Sequence, residues 1–210
     1  MILHGLDAKE RGATKLFIFA QDTDVLVLMA RRYPKLPKES FFVAVPGEYI
    51  SIGQIYASLG QLKAAALPGF HALSGCDTTG CLKGKGKLSY WKAFSLSNDE
   101  ILSSFASLGK NDIVTDETLY NLEEFLCRVY QPESKSQIKT LAALRWSLFS
   151  TKQTVGDSLP PTTGAFIPAV KRANFQAIVW AQDDIAIPAI PSPTKHGWVL
   201  PWKMDGCHRL

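Results

Sequence analysis

The chain has 210 residues, 23 basic against 19 acidic side chains, a net charge of +4 and four cysteines. This length suits one domain or one domain with an appendage, and the 46% apolar fraction is enough for a real core. No apolar run reaches the roughly eighteen residues of a membrane span, and four scattered cysteines exclude a disulfide framework.

Residues Ile2 to Arg11 read as a helix with Ile2, Leu3 and Leu6 on one face, closed by Gly12. The start lacks the basic residues and long apolar core of a signal peptide, so the expected location is intracellular; a nuclear placement is the finer expectation and does not rest on the N-terminus. Lys15 to Ala20 is a continuous apolar run of strand length and reads as a buried parallel strand. Asp22-Thr23-Asp24 stands at its carboxyl end, and Val25 to Arg32 reads as a helix. Phe41 to Val45 and Tyr49 to Ile52 read as strands about a Pro46-Gly47 turn.

Gln54 to Ala65 and Pro68 to Ser74 read as two helices, with Pro68 in a first turn. Gly75-Cys76-Asp77-Thr78-Thr79 follows, then a glycine hairpin with alternating lysines, Lys83-Gly84-Lys85-Gly86-Lys87. Helices are predicted over Leu88 to Phe94, Ile101 to Leu108, Asp116 to Tyr130, Thr140 to Phe149 and Gly164 to Ala181. The Asp116 helix is the clearest, with Leu119, Leu122, Phe125, Leu126 and Val129 three or four apart. Seven of the twelve prolines lie between Pro160 and Pro201, and the tail from Ile185 should be extended, with Trp198 and Trp202 free to dock. The expected organisation is residues 1–110, 111–150 and 151–210. Trp146, Trp180, Trp198 and Trp202 read as core or docking residues. Glu123-Glu124 and Asp183-Asp184 read as solvated faces.

Three features carry candidate chemistry. Asp22 and Asp24 lie one residue apart at a strand's carboxyl end, where α/β folds place their sites, and could ligate a hard cation such as Mg2+ or Mn2+. The competing structural role is an N-cap at Asp22 with Asp24 in the positive first turn of the helix. Asp77, after Gly75, adds a carboxylate or an Asx-turn. Gly84 and Gly86 expose backbone N–H groups, and Lys83, Lys85 and Lys87 add charge, a combination that grips phosphate without reading bases. Gly75 and Gly80 have Walker spacing, but Cys81 stands where the lysine belongs, which argues against a nucleoside-triphosphate loop. His71, Cys76 and Cys81 do not have a standard zinc spacing.

The order of these elements resembles the second half of a flap-endonuclease-like nuclease domain of the PIN-like superfamily. Gln21-Asp-Thr-Asp-Val-Leu-Val-Leu28, His71-Ala-Leu-Ser-Gly-Cys-Asp-Thr-Thr79 and Gly84-Lys-Gly-Lys87 are similar to mobile-element-associated animal proteins of this branch, in which a Trp- and Pro-rich segment like Leu144 to Trp198 follows. The resemblance covers about Lys15 to Leu108. It implies an α/β fold: a PIN-like core with a short, mostly parallel sheet, then a helical region with a glycine hairpin between helices, then a Pro/Trp-rich extension. It implies Asp22, Asp24 and Asp77 as catalytic ligands of two Mg2+ or Mn2+ ions, and Lys83 to Lys87 as the grip on a DNA backbone, including branched or flap DNA.

The family's first strand, with its own metal-binding aspartate, has no counterpart here, and Asp7 and Glu10 fall too late on the first helix to replace it. The expectation is therefore a fragment of a metal-dependent, structure-specific nuclease with weak metal binding and little or no cleavage. The alternatives are a non-catalytic nucleic-acid-binding module using the glycine/lysine hairpin, or a protein-interaction module using the C-terminal segment. No membrane partner is expected.

Overall fold

The computed structural model describes residues 1–81, 85–131, 138–151 and 156–198. Helix α1 (Ile2–Glu10) leads through Gly12, at φ +92, into strand β1 (Lys15–Phe19). Helix α2 (Thr23–Arg32) crosses over to strand β2 (Glu39–Val43), which pairs parallel with β1 in the register Lys15 to Glu39 and Phe19 to Val43. A short strand β3 (Ile50–Ser51) pairs antiparallel with β2, giving a three-stranded mixed sheet in the order β1-β2-β3. Six helices follow: α3 (Ile52–Ser74), α4 (Lys87–Ser95), α5 (Asp99–Ser107), α6 (Asp116–Tyr130), α7 (Leu141–Ser150) and α8 (Thr163–Ala181). The fold is mixed α/β and mostly helical. No helix among the described residues is long and apolar enough to cross a membrane.

Short polar side chains start most of these helices. Ser51, Asn98, Thr115, Thr140 and Thr162 each accept a hydrogen bond from the backbone N–H three residues on, which satisfies one of the donors a helix leaves open at its amino end. One expected break moves. The two helices predicted over Gln54 to Ala65 and Pro68 to Ser74 are separated by a kink at Gly60 (φ +74, ψ 167), and Pro68 lies inside the second, longer piece. Glycine alone adopts that backbone cheaply, which puts the break at Gly60, and the helix runs on through Pro68.

Apolar burial falls into two clusters. The smaller joins one face of the sheet to α1, α2 and the start of α3, through Ile2, Ile18, Val25, Met29, Leu36, Phe42 and Ile52. The opposite face of the sheet is open: Phe19 is 68% exposed, Tyr49 58% and Phe17 42%. The apolar run of β1 therefore makes a parallel strand buried on one side, not on both as its composition suggests. The larger cluster joins α3 to α8 around Phe70, Tyr90, Phe94, Phe105 and Phe125. The Phe105 and Phe125 rings meet edge-on at 4.8 Å. Gly69 lets α3 approach the Phe105 carbonyl of α5 more closely than any side chain would permit.

Helix α8, from the C-terminal segment, contributes Phe166, Val170, Ala173, Ala177 and Trp180 to this same cluster. The proline-rich tail folds back onto it: Trp198 packs edge-on against Phe175 at 5.0 Å, and Arg172 Nη1 donates to the Gly197 carbonyl at 2.8 Å. Trp202 lies outside the described residues. Trp146, expected in a core or a docked position, is 70% exposed.

The two regions are tied together by charge. Arg32, at the end of α2, donates through Nε to Asp183 Oδ1 at 2.8 Å and through Nη2 to the Ala181 carbonyl at 3.0 Å, with Asp184 Oδ1 also 3.0 Å away. The Asp183 side chain is only 6% exposed. The Asp183-Asp184 pair is thus a buried clasp and not the solvated face its composition suggests. Glu123 and Glu124 are similar: Glu123 accepts from the Leu141 N–H at the start of α7, and Glu124 pairs with Arg128 and Lys139. Burial raises the Glu124 pKa, but the hydrogen bonds from Arg128 and Lys139 outweigh it and hold the carboxyl below its ordinary value.

Candidate functional site

Asp22 follows β1 in an extended conformation (φ −82, ψ 124) and caps α2, its Oδ1 accepting from the Asp24 N–H at 2.9 Å. The capping role weighed from the sequence is therefore present. It leaves Asp22 exposed at the carboxyl end of the parallel strand, with Oδ2 outside the cap. Asp24 is half-buried in the first turn of α2, where the unpaired N–H groups of the helix favour its negative charge.

Asp24 has a partner that sequence spacing did not reveal. Its Oδ1 lies 2.7 Å from Nε2 of His71, on α3. The His71 side chain is 7% exposed, and its ring lies over Trp180 of α8 at 5.6 Å. On the far side of the imidazole, Nζ of Lys87 is 3.1 Å from Nδ1. An ammonium can only donate, so Nδ1 accepts and the imidazole proton sits on Nε2, donating to Asp24. Burial pulls the His71 pKa below its ordinary value; the Asp24 hydrogen bond opposes this and the Lys87 charge adds to it. Neutral His71 thus links a carboxylate at the strand end to a lysine at the amino end of α4.

Asp77 is exposed on a tight turn, closed by Cys76 N–H to Thr79 O and Thr79 N–H to Cys76 O, both at 3.2 Å. Two hydroxyls anchor this turn: Thr79 donates to the Ala72 carbonyl at 2.6 Å, and Thr78 donates to Gln176 Oε1 of α8, also at 2.6 Å. Gly75 sets the turn at φ +105, where a Cβ would come within 2.9 Å of the Cys81 Cβ. Of the hairpin, Lys83 and Gly84 lie outside the described residues. Gly86 caps α4 with its carbonyl, which accepts from the Ser89 and Tyr90 N–H groups, and no side chain among the described residues caps the Lys87 and Leu88 N–H groups. Lys85 places its ammonium 4.9 Å above the Tyr130 ring, and Lys87 reaches His71.

The structure thus brings Asp24 and Lys87 together through His71, keeps Asp22 beside Asp24 as the cap of α2, and sets Asp77 on a separate turn strapped to α8. Among the described residues no three or more His, Cys, Asp or Glu side chains gather as a set that could hold a metal ion. Asp22 and Asp24 each keep one carboxylate oxygen outside the cap and the His71 bond. The residues missed from the sequence, His71 and Gln176, have partners 47 and 98 positions away, and no local spacing signals such pairs. Comparison with protein-family models, curated proteins and solved structures returned no match.

Proposed function

We propose that this chain is a nuclease-like module of the flap-endonuclease (PIN-like) type that grips a phosphodiester backbone and cleaves it weakly or not at all. The observation that carries this reading is the line Asp24–His71–Lys87, which joins the two sequence motifs in space. An acidic strand end and the open amino end of a lysine-bearing helix then share one surface. The helix N–H groups and nearby lysines attract phosphate oxygens, and Asp22 and Asp24 suit an Mg2+ or Mn2+ ion that would screen the phosphate from their own charge.

The donor set is the reason for expecting little chemistry. With one Asp24 oxygen on His71 and one Asp22 oxygen on the α2 cap, two oxygens remain where in-line hydrolysis by paired ions would need a full cage. His71 holds the Asp24 carboxylate in one orientation, and burial, with the Lys87 charge adding to it, disfavours a proton on the imidazole. Backbone gripping needs neither step.

The test is fluorescence anisotropy with a labelled 5′-flap duplex, alongside a cleavage gel with and without Mn2+. Binding in the micromolar range that weakens with salt is expected, with the salt slope reduced by about one for each of Lys85→Ala and Lys87→Ala. Absence of binding at low salt overturns the reading. Mn2+-dependent cleavage that disappears in Asp77→Ala overturns the claim of weak or absent catalysis while leaving backbone binding intact.

A further inference from the structure

Strand β1 ends the sheet, and its pairing tells which backbone groups are spoken for. Glu39 N–H donates to the Thr14 carbonyl at 3.4 Å, and Ala20 N–H donates to the Val43 carbonyl at 3.2 Å. Strand residues alternate in the side to which they aim their backbone groups, so Leu16 and Ile18, between these two, also face β2. Lys15, Phe17 and Phe19 therefore point their N–H and C=O groups at the open edge, and among the described residues β2 is the only strand that pairs with β1. Their side chains stand on the uncovered face, where Phe17 stacks on Phe41 at 5.2 Å and 15°, and Tyr49 meets Phe17 edge-on at 5.6 Å. A strand with an unpaired edge and exposed aromatic side chains is a template for pairing with another strand.

We infer that the occupant of this edge is β1 of a second copy, paired antiparallel about a two-fold axis through Phe17. This inference is independent of the nuclease-like reading. Three features favour a second copy. The free groups of Lys15, Phe17 and Phe19 meet the same groups of the other strand, Phe17 facing Phe17 and Lys15 facing Phe19, which makes about six new backbone hydrogen bonds. Lys15 stands at the amino end of β1, with Arg11 before it in an exposed pair with Asp7, and exposed Asp22 lies past the carboxyl end, so an antiparallel copy brings cations toward a carboxylate at each end. In that pairing Lys15, which is 2.7 Å from Glu39 of its own chain, would lay its aliphatic stem along the exposed Phe19 ring of the second copy. The row Tyr49, Phe41, Phe17 continues into Phe17, Phe41 and Tyr49 of the second copy on one face of a six-stranded sheet.

Sedimentation velocity of the full chain from about 1 to 200 µM tests this. The wild type should pass from monomer to dimer over that range. Phe17→Lys sets two ammonium groups face to face and should raise the dimer dissociation constant at least about tenfold. Phe19→Glu faces Lys15 of the second copy and should leave the dimer as tight or tighter. Circular dichroism checks that both variants fold, which their exposed positions favour. A wild type monomeric throughout overturns the inference. So does a dimer that survives Phe17→Lys, and so does an association abolished equally by both substitutions, which would mark unspecific apolar contact.

Discussion

Phe17 and Phe125 are the same side chain in two surroundings. Phe125 is fully buried on α6, with the rings of Phe70, Tyr90 and Phe105 around it. Phe17 stands on an open sheet face with Phe41 and Tyr49 for neighbours. The contrast extends to the regions that hold them. The helical region packs six helices around one aromatic core, although Trp146 and Phe149 of α7 stay on its outer surface. The sheet region has helices on one side only, and its cluster of seven buried apolar residues is correspondingly small. Stability should therefore reside in α3 to α8, while recognition, which needs exposed and underused groups, collects at the sheet end and the strand terminus.

The sharpest way to break this comparison is Phe125→Ala. Removing a fully buried ring from a packed aromatic cluster should cost about 3–5 kcal/mol, through lost transfer energy and the cavity left behind. Urea denaturation followed by Trp fluorescence measures it. A cost near 1 kcal/mol would mean that the helical core is loosely packed and that the two regions do not differ as described.

Arg32→Ala comes next, because it cuts the clasp between the regions. It strands the carboxylate of Asp183 in a site that is 6% exposed, and should cost about 3 kcal/mol. The pair Arg32→Met with Asp183→Leu should recover most of that, since it removes both charges together. If Arg32→Ala instead splits unfolding into two transitions, the sheet region folds as a separate unit and the clasp is what couples it. Gly75→Ala is expected to be milder, about 2 kcal/mol, from a strained backbone at φ +105 and the contact with Cys81. Its effect should concentrate on the Asp77 turn, so thermal melts should shift modestly while iodoacetamide labelling of Cys76, mapped by mass spectrometry, speeds up. The Cys127 thiol, pushed up to about 12 mainly by burial, should stay unlabelled in both proteins.

The sequence was most legible where local chemistry decides. Helix α6 matches its expected bounds because an apolar stripe with a three-or-four-residue period needs only one covering surface to be specified. The dual reading of Asp22, cap or ligand, was also visible in advance, because a cap is a three-residue affair. What was hidden depends on distance along the chain. Asp183 and Asp184 look like surface charge until Arg32, 151 positions earlier, is set against them. His71 looks like a stray polar group in an apolar helix until Asp24 and Lys87 arrive on either side of its ring. The run Lys15 to Ala20 shows strand and length, but composition cannot say whether one face or two are covered; that depends on where the helices fall.

The smallest expected effect bears most directly on the open face. Phe17→Ala removes the stack on Phe41 and the edge contact with Tyr49, and in dilute protein it should cost about 1 kcal/mol or less. The same substitution at Phe125 costs several times more, and the ratio of the two measures how far the sheet face is uncovered in solution. Protein concentration sharpens the test. If β1 pairs with a second copy, the cost of Phe17→Ala should grow as the protein is concentrated, because the wild type gains binding energy that the variant lacks, whereas the cost of Phe125→Ala from the monomer's core stays fixed. A Phe17→Ala cost that equals that of Phe125→Ala at every concentration would show the face to be covered within the single chain, and the division between a recognising sheet and a stabilising helical core would fail.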